Sequence, residues 1–247
     1  MPRIVVFLDL DDTILQTAPK CPPDSPVEPA ATNRAGQVLS FMTGSQRRLL
    51  AFWQEQAIVI PVTGRTDDAL ARVLIEFGSW KITHHGAVIR QPDGQLPRWW
   101  FAEVRPALIA AQPLLWKLSA QLEAGAAAGG YRVRSHSVGE WLSYISVKTD
   151  ADSTVLTQLQ THLKASSGLP PELAVHCNGN NLAVVVRGAQ KKDAVQRVMT
   201  ELERDGAIVT MGAGDSLTDL PFMQLCDFAL VPKASQIQSE TWCGYGL

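Results

Sequence analysis

Apolar positions along this chain follow one rhythm at both ends and another in the middle. Val5–Leu8 and Ala57–Val62 (A-I-V-I-P-V) are continuous apolar runs, short enough for strands and unalternated as in strands buried on both faces. Between them Ser45 is placed to cap a helix through Gln56, with Leu49, Leu50 and Trp53 on one face. A second helix is predicted over Asp67–Phe77, stopped by Gly78, and Trp80–His84 and Ala87–Arg90 flank His85-Gly86 as strand, turn, strand. Strand, helix, strand, helix, strand points to a parallel sheet with crossover helices. The proline-rich segment Ala18–Asn33 interrupts this rhythm and is predicted as a loop, because proline removes donors and fixes φ.

Past Arg90 the pattern changes. Gln91–Pro97 is turn-like, and Glu103–Ala124 is apolar at helical spacing despite Pro106 and Pro113. Gly125–Gly130 is expected to be flexible. Tyr131–Val138 and Trp141–Lys148 alternate like antiparallel strands, Asp152–Leu163 reads as a helix, and Leu173–His176 with Leu182–Arg187 reads as a hairpin around Asn178–Asn181. This middle block is expected to be an α+β layer with one sheet face exposed. From Lys191 the first rhythm returns with a helix over Lys192–Glu203, a strand over Ala207–Met211, a turn at Gly212–Ser216, a helix, and a strand over Phe228–Val231. The economical reading is an α/β core of residues 1–87 and 188–247 interrupted by an inserted α+β domain of residues 88–187.

Composition narrows the partners. With 247 residues, 46% of them hydrophobic, the chain can build one large or two modest cores. A net charge of −2 without basic runs argues against nucleic acid. Cys21, Cys177, Cys226 and Cys243 are scattered and form no C-x-x-C pair, so reduced thiols are expected rather than a zinc site or a disulfide framework. The first apolar run is cut at Asp9, too short for a signal-peptide core or a membrane span. The expectation is a cytoplasmic protein.

Polar clusters end three strands: Asp9-x-Asp11 after the first, Thr63-Gly64-Arg65 after the second, and Gly214-Asp215-Ser216-x-x-Asp219 after a later one. Ligands of open parallel sheets bind outside the carboxyl ends of the strands, so the three can converge, with Lys191 at the start of a helix as a fourth element. Each residue type has a task if the ligand is a phosphate ester. Oxygen ligands such as Asp9 and Asp215 suit Mg²⁺ shared with a phosphoryl group. One carboxylate can attack phosphorus, and a second can protonate the leaving alcohol and later activate water. Thr63 and Gly64 can cradle phosphoryl oxygens, and a lysine ammonium can face them. His84 and His85 have no partner at metal-ligand spacing and are read as loop or packing residues.

The set D-L-D-D-T (Asp9–Thr13), T-G-R (Thr63–Arg65), Lys191 in K-K-D-A-V and G-D-S-L-T-D (Gly214–Asp219) resembles the four motifs of the haloacid dehalogenase-like (HAD) superfamily. The arrangement is similar to its phosphatases with a large α/β cap, which act on sucrose phosphate, trehalose phosphate, mannosyl-phosphoglycerate and other sugar phosphates. The resemblance covers the two core segments and implies a Rossmann-like core with the insertion as a cap. It implies that Asp9 is nucleophile and Mg²⁺ ligand, and that Asp11 is general acid/base and gives its backbone carbonyl to the metal. Thr63 would bind the phosphoryl group, Lys191 (with Lys192 as fallback) would be the phosphate lysine, and Asp215 a metal ligand with Asp219 supporting it directly or through water. Dehalogenases of the superfamily lack the second acid, so Asp11 disfavours carbon–halogen cleavage. Lys192 stands where relatives usually have glycine, His85-Gly86 where they often have Asn-Gly, and Thr218 where Asn commonly precedes the last Asp.

The expected function is a Mg²⁺-dependent phosphomonoesterase acting on a small phosphorylated metabolite, a sugar or glycosyl phosphate, through an aspartyl-phosphate. Alternatives are a phosphotransferase or mutase on the same core, or a non-catalytic protein that binds a phosphate ligand. Arg65 is read as an ion-pairing residue that could orient Asp11. Inserted-domain residues around His176–Asn181 and Arg187 are candidates to face the substrate. The sequence carries no indication of oligomeric state.

Overall fold

A computed structural model describes residues 3–23, 25–150, 152–165 and 169–241; Asp24 of the proline-rich segment and Cys243 lie outside the described residues. Strand β1 (Arg3–Leu8) buries Val5, Val6, Phe7 and Leu8 completely, and each such side chain contributes about 1.5–3 kcal/mol. The segment that follows is not only loop. β2 (Gln16–Thr17), β3 (Val27–Thr32) and β4 (Val38–Thr43) form an antiparallel sheet in the order β2-β4-β3. Pro29 is tolerated because β3 is an edge strand and its register shifts beside that proline.

Helix α1 (Gly44–Gln56) is capped by Thr43 and not by Ser45: the Thr43 hydroxyl accepts from the Gln46 N–H, and the Gln46 side chain accepts from the Thr43 N–H. β5 (Ile58–Pro61) follows. The helix expected to reach Phe77 ends early, as α2 (Asp67–Leu70). Its continuation is drawn to the edge of β3, where the Leu74 N–H donates to the Ala30 carbonyl and the Thr32 N–H to the Arg72 carbonyl. β6 (Lys81–Thr83) and β7 (Val88–Arg90) pair antiparallel across the His84–Gly86 turn.

Helix α3 (Arg98–Gly129) runs through both prolines and through Gly125–Gly129, which were expected to be flexible. Trp100, Val104, Leu108, Ala111, Leu115, Ser119 and Leu122 make one buried stripe, whereas Pro106 and Pro113 lie on the exposed side. There the carbonyls they deprive of a donor can take water instead. β8 (Arg132–Val138), β9 (Trp141–Lys148), α4 (Thr154–Ala165), β10 (Leu173–Asn178) and β11 (Asn181–Val186) complete the inserted segment, with an antiparallel sheet ordered β10-β11-β9-β8. The expected exposed sheet face is absent from its two central strands. Leu142–Val147 of β9 and Leu182–Val186 of β11 are buried along their length, as apolar and small polar residues on both faces allow.

The chain then returns through α5 (Lys191–Glu203), β12 (Ile208–Ala213), α6 (Leu220–Met223), β13 (Phe228–Leu230) and α7 (Gln236–Thr241). Two compact units result, residues 1–97 with 191–247, and residues 98–190. β7, placed in the insertion by the sequence boundary after residue 87, belongs to the first unit because it pairs with β6.

The first unit is built on a parallel sheet ordered β13-β12-β1-β5, and Val62 extends it by a bridge to Ile82 of β6. Successive strands run outward from β1 to β6, and the chain then crosses back to place β12 on the other side of β1. Strand order therefore reverses at β1, where open α/β sheets hold their ligands.

Candidate active site

Register brings the polar clusters together. Leu8 pairs with Ala213 on one side and Pro61 on the other, so Asp9 leaves the sheet between Gly214-Asp215 and Val62-Thr63. The Asp9 N–H donates to the Ala213 carbonyl at 2.9 Å, which fixes the start of the loop. Residues 10–15 then close a tight turn: the N–H groups of Thr13, Ile14 and Leu15 all point at the Leu10 carbonyl, and Asp12 adopts φ 65°. The turn carries the Thr13 hydroxyl back to Asp9, where it donates to Oδ2 at 3.0 Å.

Lys191 opens α5, and its ammonium donates to Asp9 Oδ1 at 2.6 Å and to Asp219 Oδ1 at 2.7 Å. Lys192 is exposed. The other oxygen of Asp219 accepts from the Ser216 hydroxyl at 2.6 Å and the Ser216 N–H at 3.1 Å. Asp219 can come this close because residue 214 is glycine: a Cβ there would lie 2.5 Å from the Asp219 Cβ. Ligand oxygens of Asp9, Asp215 and Asp219 all lie within 4.8 Å of one another.

Asp9, Asp215 and Asp219 are buried around one buried ammonium. Burial, reinforced by Asp219 and Asp215, pushes the Asp9 carboxyl well above the ordinary carboxylate range against the pull of Lys191. Burial alone would lower the Lys191 pKa, but Asp219 and Asp9 outweigh it and hold the ammonium above its ordinary value. Three buried carboxyl groups whose oxygens lie this close together are an environment that suits a hard divalent cation. The donor set fits Mg²⁺, with Asp9 and Asp215 as candidate ligands.

Thr63, buried at the end of the β5 segment, donates its N–H to the Ile82 carbonyl at 2.9 Å, and its hydroxyl accepts from the Arg65 N–H at 3.1 Å. Gly64 lies in this turn. Arg65 reaches back to Asp11, whose exposed carboxylate it holds with Nε at 2.8 Å and Nη2 at 2.7 Å. Burial disfavours the Arg65 charge, but the bonds and charge of Asp11 outweigh it and raise its pKa. In the second unit, the Arg187 guanidinium donates to the Leu173 carbonyl at 2.9 Å.

Three residues, Thr13, Ser216 and His85, gain a place that sequence reasoning did not give them. Thr13 and Ser216 stood inside the motifs without a task, and their spacing of four and three residues from Asp9 and Asp219 was the available signal. The contact of His85 with Gly64 joins segments too far apart for any local signal, whereas the bidentate Arg65–Asp11 pair is the ion pair expected of Arg65.

No family model and no curated protein matches the sequence. Solved structures do. A sucrose-phosphatase from Synechocystis sp. PCC6803, in complex with sucrose and phosphate, is 16% identical, with a TM-score of 0.63 over 99% of this chain and 88% of that one. The C-terminal domain of the C. albicans trehalose-6-phosphate phosphatase is 12% identical, with a TM-score of 0.62 over 100% and 78%. A haloacid dehalogenase-like hydrolase from B. subtilis is 14% identical, with a TM-score of 0.50 over 92% and 94%. This chain has their fold. The Rossmann-like core and the inserted segment expected from the four motifs are both parts of it. Among the described residues, no helix is long and apolar enough to cross a membrane.

Proposed function

We propose that this protein is a Mg²⁺-dependent phosphomonoesterase of the haloacid dehalogenase-like type. The observation that carries this reading is Asp9 itself, at the strand-order reversal, oriented by Lys191 and Thr13 and facing Asp215 and Asp219. The substrate is a small phosphorylated metabolite, a sugar or glycosyl phosphate, and the fold shared with a sucrose-phosphatase and a trehalose-6-phosphate phosphatase supports that class. Residues 1–97 and 191–247 form the catalytic core and residues 98–190 the cap that selects the leaving group. The working compartment is the cytoplasm, consistent with Cys21, Cys177 and Cys226 lying outside any disulfide.

The Asp9 carboxylate attacks phosphorus, the bond from phosphorus to the ester oxygen breaks, and Asp11 gives the departing alkoxide its proton. Asp11, now a carboxylate, takes a proton from water as that water attacks the aspartyl-phosphate, releasing Asp9 and inorganic phosphate. Thr63 and Gly64 hold the phosphoryl oxygens, and Lys191 keeps Asp9 in line through the bond to Oδ1. Asp9, Asp215 and the Asp11 carbonyl would hold Mg²⁺, which when bound would supply positive charge against the phosphoryl group. Asp219, bonded to Lys191 and Ser216, would support the ion directly or through water.

The test is phosphate release from a panel of sugar, glycosyl, glycerate and nucleotide monophosphates, with and without Mg²⁺, alongside Asp9→Asn. Metal-dependent release that vanishes in the variant is expected. A folded wild-type protein that hydrolyses none of them would overturn the reading.

A further inference from the structure

His84 and His85 are successive left-handed residues, at φ 53° and φ 58°, followed by Gly86 at φ 114°. Side chains with a Cβ rarely adopt this conformation, and two in a row persist only where their surroundings fix them. Here the surroundings are the Thr63–Gly64–Arg65 turn. The His84 N–H donates to the Arg65 carbonyl at 2.8 Å and the His85 N–H to the Thr63 carbonyl at 3.1 Å. His84 turns inward: its Nδ1 lies 3.1 Å from the Thr83 hydroxyl, which donates to Asp67, which in turn holds Arg90. His85 turns the other way, across Gly64. A Cβ at Gly64 would lie 2.4 Å from Cε1, 2.6 Å from Nε2 and 3.0 Å from Nδ1 of that ring, so the imidazole occupies the space a side chain would take.

We propose that His85 is a positioning residue for the phosphoryl cradle, its ring clamping Gly64 so that Thr63 and the turn face the phosphoryl group. This rests on the phosphatase reading above. The ring acts through Gly64 and not on the substrate. The strained backbone beneath it is held by two bonds to the very turn it clamps, so cradle and clamp form one unit. Glycine at position 64 and histidine at position 85 are then a matched pair: the missing Cβ of one is the seat of the other.

The experiment compares binding of orthovanadate and inorganic phosphate, each with saturating Mg²⁺, to wild type, His85→Gly, His85→Asn, Gly64→Ala and the double variant Gly64→Ala/His85→Gly. Glycine relieves the left-handed backbone, so His85→Gly is expected to keep or raise the melting temperature. Its orthovanadate affinity is nevertheless expected to fall about ten- to a hundredfold, the scale of a misplaced binding group. Asn tolerates the left-handed conformation and supplies a planar side chain, so His85→Asn should recover part of the loss. Gly64→Ala should weaken binding strongly beside His85 and add little once the ring is gone. His85→Gly binding both anions like wild type would overturn the proposal, as would additive losses in the double variant. A wild-type protein that binds neither anion and releases no phosphate would overturn the phosphatase reading and this inference together.

Discussion

Arg65 holds the carboxylate of Asp11 in a two-pronged grip, Nε to Oδ2 at 2.8 Å and Nη2 to Oδ1 at 2.7 Å. Asp11 is exposed on a tight turn, whereas the arginine is largely buried and anchored in the cradle turn. The pair therefore ties the proposed proton donor to the proposed phosphoryl site.

Removing that donor should show in its dependence on the leaving group. Asp11→Asn is expected to lower kcat/KM, which reports the phosphorylation step, by about 10²- to 10⁴-fold on an alkyl phosphate, the usual range for general acid–base catalysis. The loss should shrink on an aryl phosphate whose leaving group needs no proton. Arg65→Lys keeps the charge but not the fork, so an intermediate loss is expected with KM little changed. Steady-state kinetics on both ester types checks this, and equal losses on the two would contradict it.

The Lys191 ammonium bonds both Asp9 and Asp219. Lys191→Met leaves those buried carboxylates without it and should cost about 3–5 kcal/mol in urea unfolding of the metal-free protein. Added Mg²⁺ should recover part of that loss. The same change at exposed Lys192 should fall within about 0.5 kcal/mol.

The site was more legible in the sequence than the scaffold around it. Asp9, Asp215 and Thr63 were readable because each follows an apolar run that must be a buried strand, and strand ends of a parallel sheet share one edge. Spacing to Ala194-Val195 favours Lys191 over Lys192, and burial of one and exposure of the other follows from how α5 rests on its core. β3 was hidden because Pro29 reads as a breaker unless the strand is known to be an edge. The early end of α2 depends on β3, so one missed strand concealed the other. Thr43 caps α1 in place of Ser45 because Gln46, three residues on, returns a bond to its N–H, whereas Arg48 stands at that spacing from Ser45 and cannot accept one.

Acid should reveal His84. Burial pushes its pKa below the ordinary 6.5. The unfolded chain then takes up the proton first, so stability present above pH 6.5 is lost as pH falls through the lowered folded value. Asp9 runs the other way, since its raised folded value favours the protonated folded state at low pH. The His84 contribution is therefore the difference between wild type and His84→Asn, whose side chain tolerates the left-handed backbone. Melting temperatures of the two are expected to converge as pH drops from 7 to 5, and parallel curves would contradict this.

Gly214 permits the close approach of Asp219. Gly214→Ala must displace that carboxylate, at an expected cost of about 1–3 kcal/mol as an overpacked site, with a weaker Mg²⁺ affinity. Calorimetric titration with Mg²⁺ checks the second part, and unchanged affinity would remove Asp219 from the support of the ion.

Whether Asp9 carries the phosphoryl group is tested most directly by trapping it there. Asp11→Asn, turned over with Mg²⁺ and an aryl phosphate whose leaving group needs no proton and quenched in acid, should accumulate the covalent intermediate because nothing activates water to release it. Peptide mass analysis is expected to find one added phosphoryl group on the segment containing Asp9, and none in Asp9→Asn. Turnover by wild type with no label on that segment in either protein, or with label on another residue, would contradict an aspartyl-phosphate at Asp9.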